Sequence, residues 1–283
     1  MVLESLLYPT KAEERPKLLL LIGFLYSSVA VFLSLWIFEK ESSFVMVFLT
    51  VLAAFPLFFT TTLLEESKDL QIPKERQLLR EHNKAIKFFM YLFFGIVLSC
   101  VLWYVVLPSA TTSYLFEKQI QTISSINNQV SGHATSSTTL LGKIFLNNAK
   151  VLVFAILFSF IYGAGAIFIL TWNATVIGAA IGNFIRNSLA EYAGMVGFPK
   201  IAGYFHVVSF GLLKYIIHGI PEILAYFYGG LAGGIISVSI IRRHYRSRKF
   251  HHILMDALEL ILISIGFLWV AALLEVYVTP ILF

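Results

Sequence analysis

The sequence predicts an all-α, polytopic transmembrane helical bundle, and two observations carry that reading. A chain of 283 residues that is 58% hydrophobic and 13% charged, with 26 phenylalanines and a mean hydropathy of +0.81, holds several apolar runs of the roughly 20-residue length that a bilayer crossing takes. Runs such as Leu18 to Phe38 also lack a polar stripe at the helical period, which a soluble bundle needs on its outward faces.

About seven spans fit the pattern, at about 18 to 38, 44 to 64, 87 to 107, 150 to 172, 201 to 217, 221 to 241 and 253 to 277. Met1 to Arg15, with Glu4, Lys11, Glu13, Glu14 and Arg15, reads as a cytoplasmic tail and not as a cleaved signal, which needs a short apolar core and a small-residue cleavage site. Lys68, Lys74, Arg76, Arg80 and Lys84 mark the connector 65–86 as cytoplasmic, and Arg242, Arg243, Arg246, Arg248 and Lys249 mark the one after Ile241. A multi-pass cell-membrane protein with a cytoplasmic N-terminus follows.

Segment 108–149 then faces outside, and its Ser, Thr, Asn and Gln richness suits an exposed loop or short ectodomain helices. Three regions result: an N-terminal module of three transmembrane helices over 1–107, a polar extracytoplasmic segment over 108–141, and a membrane core over 142–283. Between Asn173 and about 190 the apolar stretch is too short to span, so a short interfacial or re-entrant helix is expected there. The single Cys100 excludes an intrachain disulfide framework and a clustered thiolate metal site.

His218-Gly219-Ile220-Pro221-Glu222 is the sharpest local signal, because it sets an imidazole and a carboxylate four residues apart in an apolar region. A continuous helix from Tyr204 to Ile241 would run to about 55 Å, against about 30 Å of hydrocarbon, so a break is expected at Gly219 and Pro221. Glu222 would open the next helix and His218, with Lys214 a turn earlier, would close the previous one, each favoured there by the helix dipole. Three readings stay open for Lys214, His218 and Glu222, with Glu275 of the last span as a further acid. They form a polar staple, a ligand or proton site, or a metal or catalytic site, though no H-E-x-x-H pattern supports the last.

Glycines four apart, Gly178 with Gly182, Gly229 with Gly233 and Gly230 with Gly234, permit close helix approach, either within the chain or in a homo-oligomer, a dimer being favoured. Asn147 and Asn148 open one expected span and Asn173 closes it, which suits helix caps or interhelical hydrogen bonds. The basic run Arg242, Arg243, Arg246, Arg248 and Lys249 is topogenic or contacts anionic lipid headgroups of the bilayer. Its confinement to a membrane-proximal turn gives no support for nucleic-acid binding. Nothing in the sequence calls for a cofactor or a metal.

Taken in order, Asn147-Asn148, Tyr162-Gly163-Ala164-Gly165, Thr171-Trp172-Asn173, His218 to Glu222, the Gly229 to Gly234 helix, Ala271 to Glu275 and Thr279-Pro280 resemble the stage II sporulation protein M family over about residues 142–283. The resemblance implies a multi-spanning scaffold that brings envelope-acting protein partners, peptidoglycan-degrading ones in the best-known case, to a membrane being remodelled. The preferred function is therefore a non-enzymatic integral membrane assembly component. The rivals are a small-solute or ion transporter lined by His218, Glu222, Glu275 and the asparagines, and an intramembrane metal-dependent hydrolase.

Overall fold

A computed structural model describes residues 16–72, 74–131, 137–191, 198–247 and 250–282. Every element among them is helical: α1 (Pro16–Ile37), a 3-10 turn Glu39–Glu41, α2 (Ser42–Gln71), α3 (Glu75–Val106), α4 (Ser109–Leu115), α5 (Glu117–Ser131), α6 (Ser137–Tyr162), α7 (Ala166–Glu191), α8 (Phe198–Ile241), a 3-10 turn His244–Arg246, α9 (Phe250–Leu273), a π turn Leu274–Val278 and α10 (Thr279–Leu282). Seven helical stretches are long and apolar enough to cross a membrane. The protein is an all-α polytopic bundle, and its outward faces are apolar, as Leu21, Phe32 and Trp36 of α1 and Phe44, Phe48 and Leu52 of α2 illustrate. Arg15 and the tail before it, Arg248 and Lys249 lie outside the described residues.

Proline sets two of the helix ends. Ile72 before Pro73 and Leu107 before Pro108 are both extended, because a following proline ring disfavours the α region. The front three helices agree with expectation, but the second half is partitioned differently. The expected span 150–172 is divided at Gly163, which takes φ +72°, and an added Cβ at Gly165 would fall 2.2 Å from Phe158 O. Ser159 Oγ accepts the Ala166 N–H at 3.0 Å and so satisfies the start of α7. Residues 173–190 thus belong to a 26-residue helix of spanning length and not to a short interfacial one.

The expected break at Gly219–Pro221 does not occur, because α8 runs unbroken for 44 residues with Pro221 inside it. Proline removes a single N–H from the helix ladder, and membrane helices tolerate that where neighbours pack around them. One expected span is lost by this merger and one is gained in α7, so the number of crossings is kept and the basic connectors 65–86 and after Ile241 stay on the same side as each other.

Helix α8 is the centre of the bundle. Of its most apolar stretch 83% is buried, against 22% for α6. Its glycines explain the close packing: an added Cβ at Gly233 would fall 2.5 Å from Ile156 O of α6, and at Gly234 2.7 Å from Gly163 O. Similar approaches seat α1 on α3, where a Cβ added at Gly23 or Gly95 would collide with Leu92 O or Leu20 O.

Candidate functional site

Polar side chains gather at the two ends of the bundle. The first group stands on the half of α8 away from Arg242 and on the C-terminal helix. Tyr226 Oη donates to Glu222 Oε1 at 2.7 Å, one helical turn away, and Thr279 Oγ1 lies 3.3 Å from His218 Nδ1. The π turn Leu274–Val278 carries Glu275 beside them, and His218, Glu222 and Glu275 are all partly buried. His218 and Glu222 thus make their contacts with Thr279 and Tyr226, and they stand on an unbroken helix instead of two facing helix ends. Lys214 sits in α8 one turn before His218, and its side chain lies outside the described ones.

The asparagines do not join this group as caps. Asn147 and Asn148 lie well inside α6, the first exposed and the second buried, while Asn173 lies inside α7 and donates from Nδ2 to Ile169 O of its own helix at 2.8 Å. Both helices begin earlier than hydropathy suggested, which moves these residues from ends to interiors.

The second group was not singled out from the sequence. Glu65, Glu66 and Asp69 end α2, His82 begins α3, and Asp256 lies in the second turn of α9. The side chains of Glu65, Asp69 and His82 are fully buried and that of Asp256 is 2% exposed. His82 Nδ1 lies 2.8 Å from Glu65 Oε2, and His82 Nε2 lies 3.0 Å from Asp256 Oδ2 and 3.2 Å from Asp69 Oδ1. Glu65 and His82 stand symmetrically about the turn at 72–74, so the α2–α3 hairpin brings them face to face. Glu66, next along the helix, points elsewhere and takes Arg242 Nη1 at 2.8 Å and His244 Nδ1 at 2.6 Å. Lys68 binds Glu65 at 2.6 Å and reaches Glu81 at 3.5 Å. Asp69, His82 and Asp256 each turn a donor atom into a common space, all within 4.8 Å of one another, and could hold a metal ion.

Arg242 is thus paired with the buried Glu66 while itself 39% exposed, and Arg243 and Arg246 are exposed as well. The glycine pairs are likewise occupied from within. An added Cβ at Gly178 or Gly182 would fall 2.5 Å from Cys100 Cβ or 2.6 Å from Tyr104 Cβ on α3, and one at Gly229 or Gly230 2.3 Å from Leu152 Cδ1 or 2.6 Å from Ala166 Cβ. A second copy would have to dock on other surfaces.

Helix rise fixes the distance between the two polar groups. Arg242 and Glu222, and likewise Asp256 and Glu275, are separated by about 28–30 Å of helix at about 1.5 Å per residue, which is the thickness of one hydrocarbon core. The His218–Glu222–Glu275 group therefore lies about one hydrocarbon thickness along these helices from the His82 group. A third polar network ties α2 to α5 and α7, and α7 to α3 and α4: Ser43 Oγ donates to Gln119 Oε1 at 2.8 Å, Gln119 Nε2 to Thr175 Oγ1 at 3.2 Å, and Arg186 to Val105 O, Leu107 O and Thr112 Oγ1, closing the carboxyl end of α3. Between the ends the interior is aromatic. Phe58 stacks on Phe89 at 3.9 Å and Phe89 on Phe227 at 5.7 Å, and the void beside them is about 10 Å³, no more than one water needs.

The family model described as Stage II sporulation protein M matches residues 85–280. The chain belongs to that family. Its match begins in α3 and covers both polar contacts of α8, from His218–Thr279 to Glu222–Tyr226. His82, Asp69 and Glu65 precede the matched region, while Asp256 lies inside it. No curated protein and no solved structure matches the chain.

Proposed function

We propose that this protein is a non-enzymatic integral membrane scaffold that assembles envelope-acting partners at the outer face of a cell membrane. The family points to a membrane component, and the observation that carries the finer reading is the distribution of polarity. The middle of the bundle is filled by Phe58, Phe89, Phe93 and Phe227 around a void of about 10 Å³, while hydrogen-bonding groups collect at the two ends. Transport sites of broken-helix carriers lie near the midplane, whereas the residues around this void are apolar apart from Thr171.

In this reading the N-terminus is cytoplasmic, the His82 group faces the cytoplasm, and α4, α5 and the His218 group face outward to partners. The homodimer favoured on sequence grounds uses surfaces other than the glycine faces, such as the exposed Phe205 and Leu213 on the outer half of α8. Site-specific photo-crosslinkers at Ser113 and Phe205, in cells that make the protein natively, test the proposal. Adducts of defined mass at these positions, and none at lipid-facing Leu25, are expected. Unmodified monomer at both positions would contradict it.

A second reading, a proton or ion carrier, draws on the Glu222–Tyr226 and His218–Thr279 contacts, since ionisable groups within membrane helices commonly mark ion pathways.

A further inference from the structure

We propose that Asp69, His82 and Asp256 bind one divalent transition-metal ion, Zn²⁺ or Mn²⁺ by their chemistry, which ties the α2–α3 hairpin to α9. Three independent observations support the site.

The first is the orientation of the imidazole. Glu65 Oε2 lies 2.8 Å from Nδ1 and, as a carboxylate, accepts that N–H. Nε2, which as an imidazolium donates to Asp256 Oδ2 at 3.0 Å, would face Asp69 and Asp256 with its lone pair once an ion replaces that proton. A carboxylate behind a histidine whose other nitrogen binds metal is the usual supporting arrangement of such ligands. Nε2 approaches Asp256 Oδ2 at 3.0 Å and Asp69 Oδ1 at 3.2 Å. Two ligands held at about 2.1 Å from a tetrahedral ion stand about 3.4 Å apart, so a small closure or opening accommodates the ion.

The second is unmet bonding capacity. Both carboxylate oxygens of Asp69 and Oδ1 of Asp256 are buried without a hydrogen-bond partner, the Asp69 approach to Nε2 falling outside hydrogen-bonding geometry. Each residue is only 4% exposed. Buried carboxylate oxygens without partners are strongly unfavourable unless a cation meets them.

The third is charge. Lys68 neutralises Glu65, and Arg242 neutralises Glu66, which leaves two aspartates facing one histidine. A protonated imidazole offsets one of them, whereas a divalent ion with neutral imidazole offsets both. An access route is present as well: a pocket of about 170 Å³ lined by Glu75, His252, Asp256 and Glu259 reaches Asp256 past exposed Met255 and Leu258. His252 Nδ1, one turn before Asp256, is buried without a partner, and the acidic lining favours cation entry. Mixed imidazole and carboxylate donors suit Zn²⁺ or Mn²⁺ better than the all-oxygen sites of Mg²⁺ and Ca²⁺.

The test uses the full chain purified in detergent without chelator. Elemental analysis is expected to find about one Zn²⁺ or Mn²⁺ per chain, and chelation to lower the thermal midpoint by at least about 5 °C, restored by micromolar Zn²⁺ or Mn²⁺ but not by Mg²⁺. Asp69→Asn and Asp256→Asn should purify with under about a tenth of the metal and show a chelator-insensitive midpoint, while Glu81→Gln retains both responses. If the asparagine variants cannot be purified, Co²⁺ titration of the chelated natural chain decides, with a visible d–d band saturating at one equivalent expected. Metal-free protein with no midpoint shift and no Co²⁺ band would overturn the proposal and leave His82 as a bridging imidazolium. Unchanged metal content in both asparagine variants would overturn it too, because the ion would then be bound elsewhere.

Discussion

Single residues in this protein are governed by whether a neighbour fills the space or meets the charge they present. Phe89 is fully buried between Phe58 and Phe227, so Phe89→Ala should lower stability by about 3–5 kcal/mol, read as the thermal or denaturant midpoint in detergent. A loss below about 1 kcal/mol would mean the aromatic stack is not the tight core described. Glu66 is also buried, but its partner Arg242 is 39% exposed and can turn to water. Glu66→Gln should therefore cost only about 1–2 kcal/mol, measured in the same way. The residues that make up the His82 group were present in the sequence but carried no local signature. Asp256 lies 174 residues from His82, and Glu65 and Asp69, an i, i+4 pair on one helix face, looked like ordinary connector charges beside Lys68. The four-residue acidic spacing at the end of an apolar helix was the one signal that hydropathy reading passed over.

At the scale of elements, composition was enough to read an all-α membrane bundle. Where the reading failed, two opposing rules met. Gly219 and Pro221 look like a breaker, yet α8 passes through them unbroken, with both residues half-buried. Tyr162 to Gly165 looks like part of a span, yet the positive φ of Gly163 turns the chain. The two outcomes are testable with small substitutions. Pro221→Ala should leave the thermal midpoint unchanged or raise it, because alanine restores an N–H to a helix already present. A clear fall would instead indicate that proline shapes a turn there. Gly219 has nothing within 4 Å of an added Cβ, whereas Gly178 meets Cys100 Cβ at 2.5 Å. Gly219→Ala should thus gain up to about 1 kcal/mol, while Gly178→Leu should separate α7 from α3 and lower the midpoint by several degrees, as circular dichroism melting would show.

For the whole molecule, orientation and closure are the two properties that matter. The exchange of one span for another leaves the basic turn after α8 on the same side as the α2–α3 turn, so the charge rule still assigns both to the cytoplasm. In a Cys100→Ala background, a cysteine at Ser137 should react with an impermeant thiol reagent added to intact cells, and one at Ser247 should not. Labelling of Ser247→Cys from outside would invert the bundle. Closure is the central claim, since a scaffold needs no path through its aromatic middle and a carrier does. The most direct measurement is ion and proton flux in proteoliposomes under an imposed gradient, with the natural chain beside Glu222→Gln. A scaffold predicts flux equal to protein-free vesicles for both proteins. Gradient-driven flux through the natural chain that Glu222→Gln abolishes would contradict it.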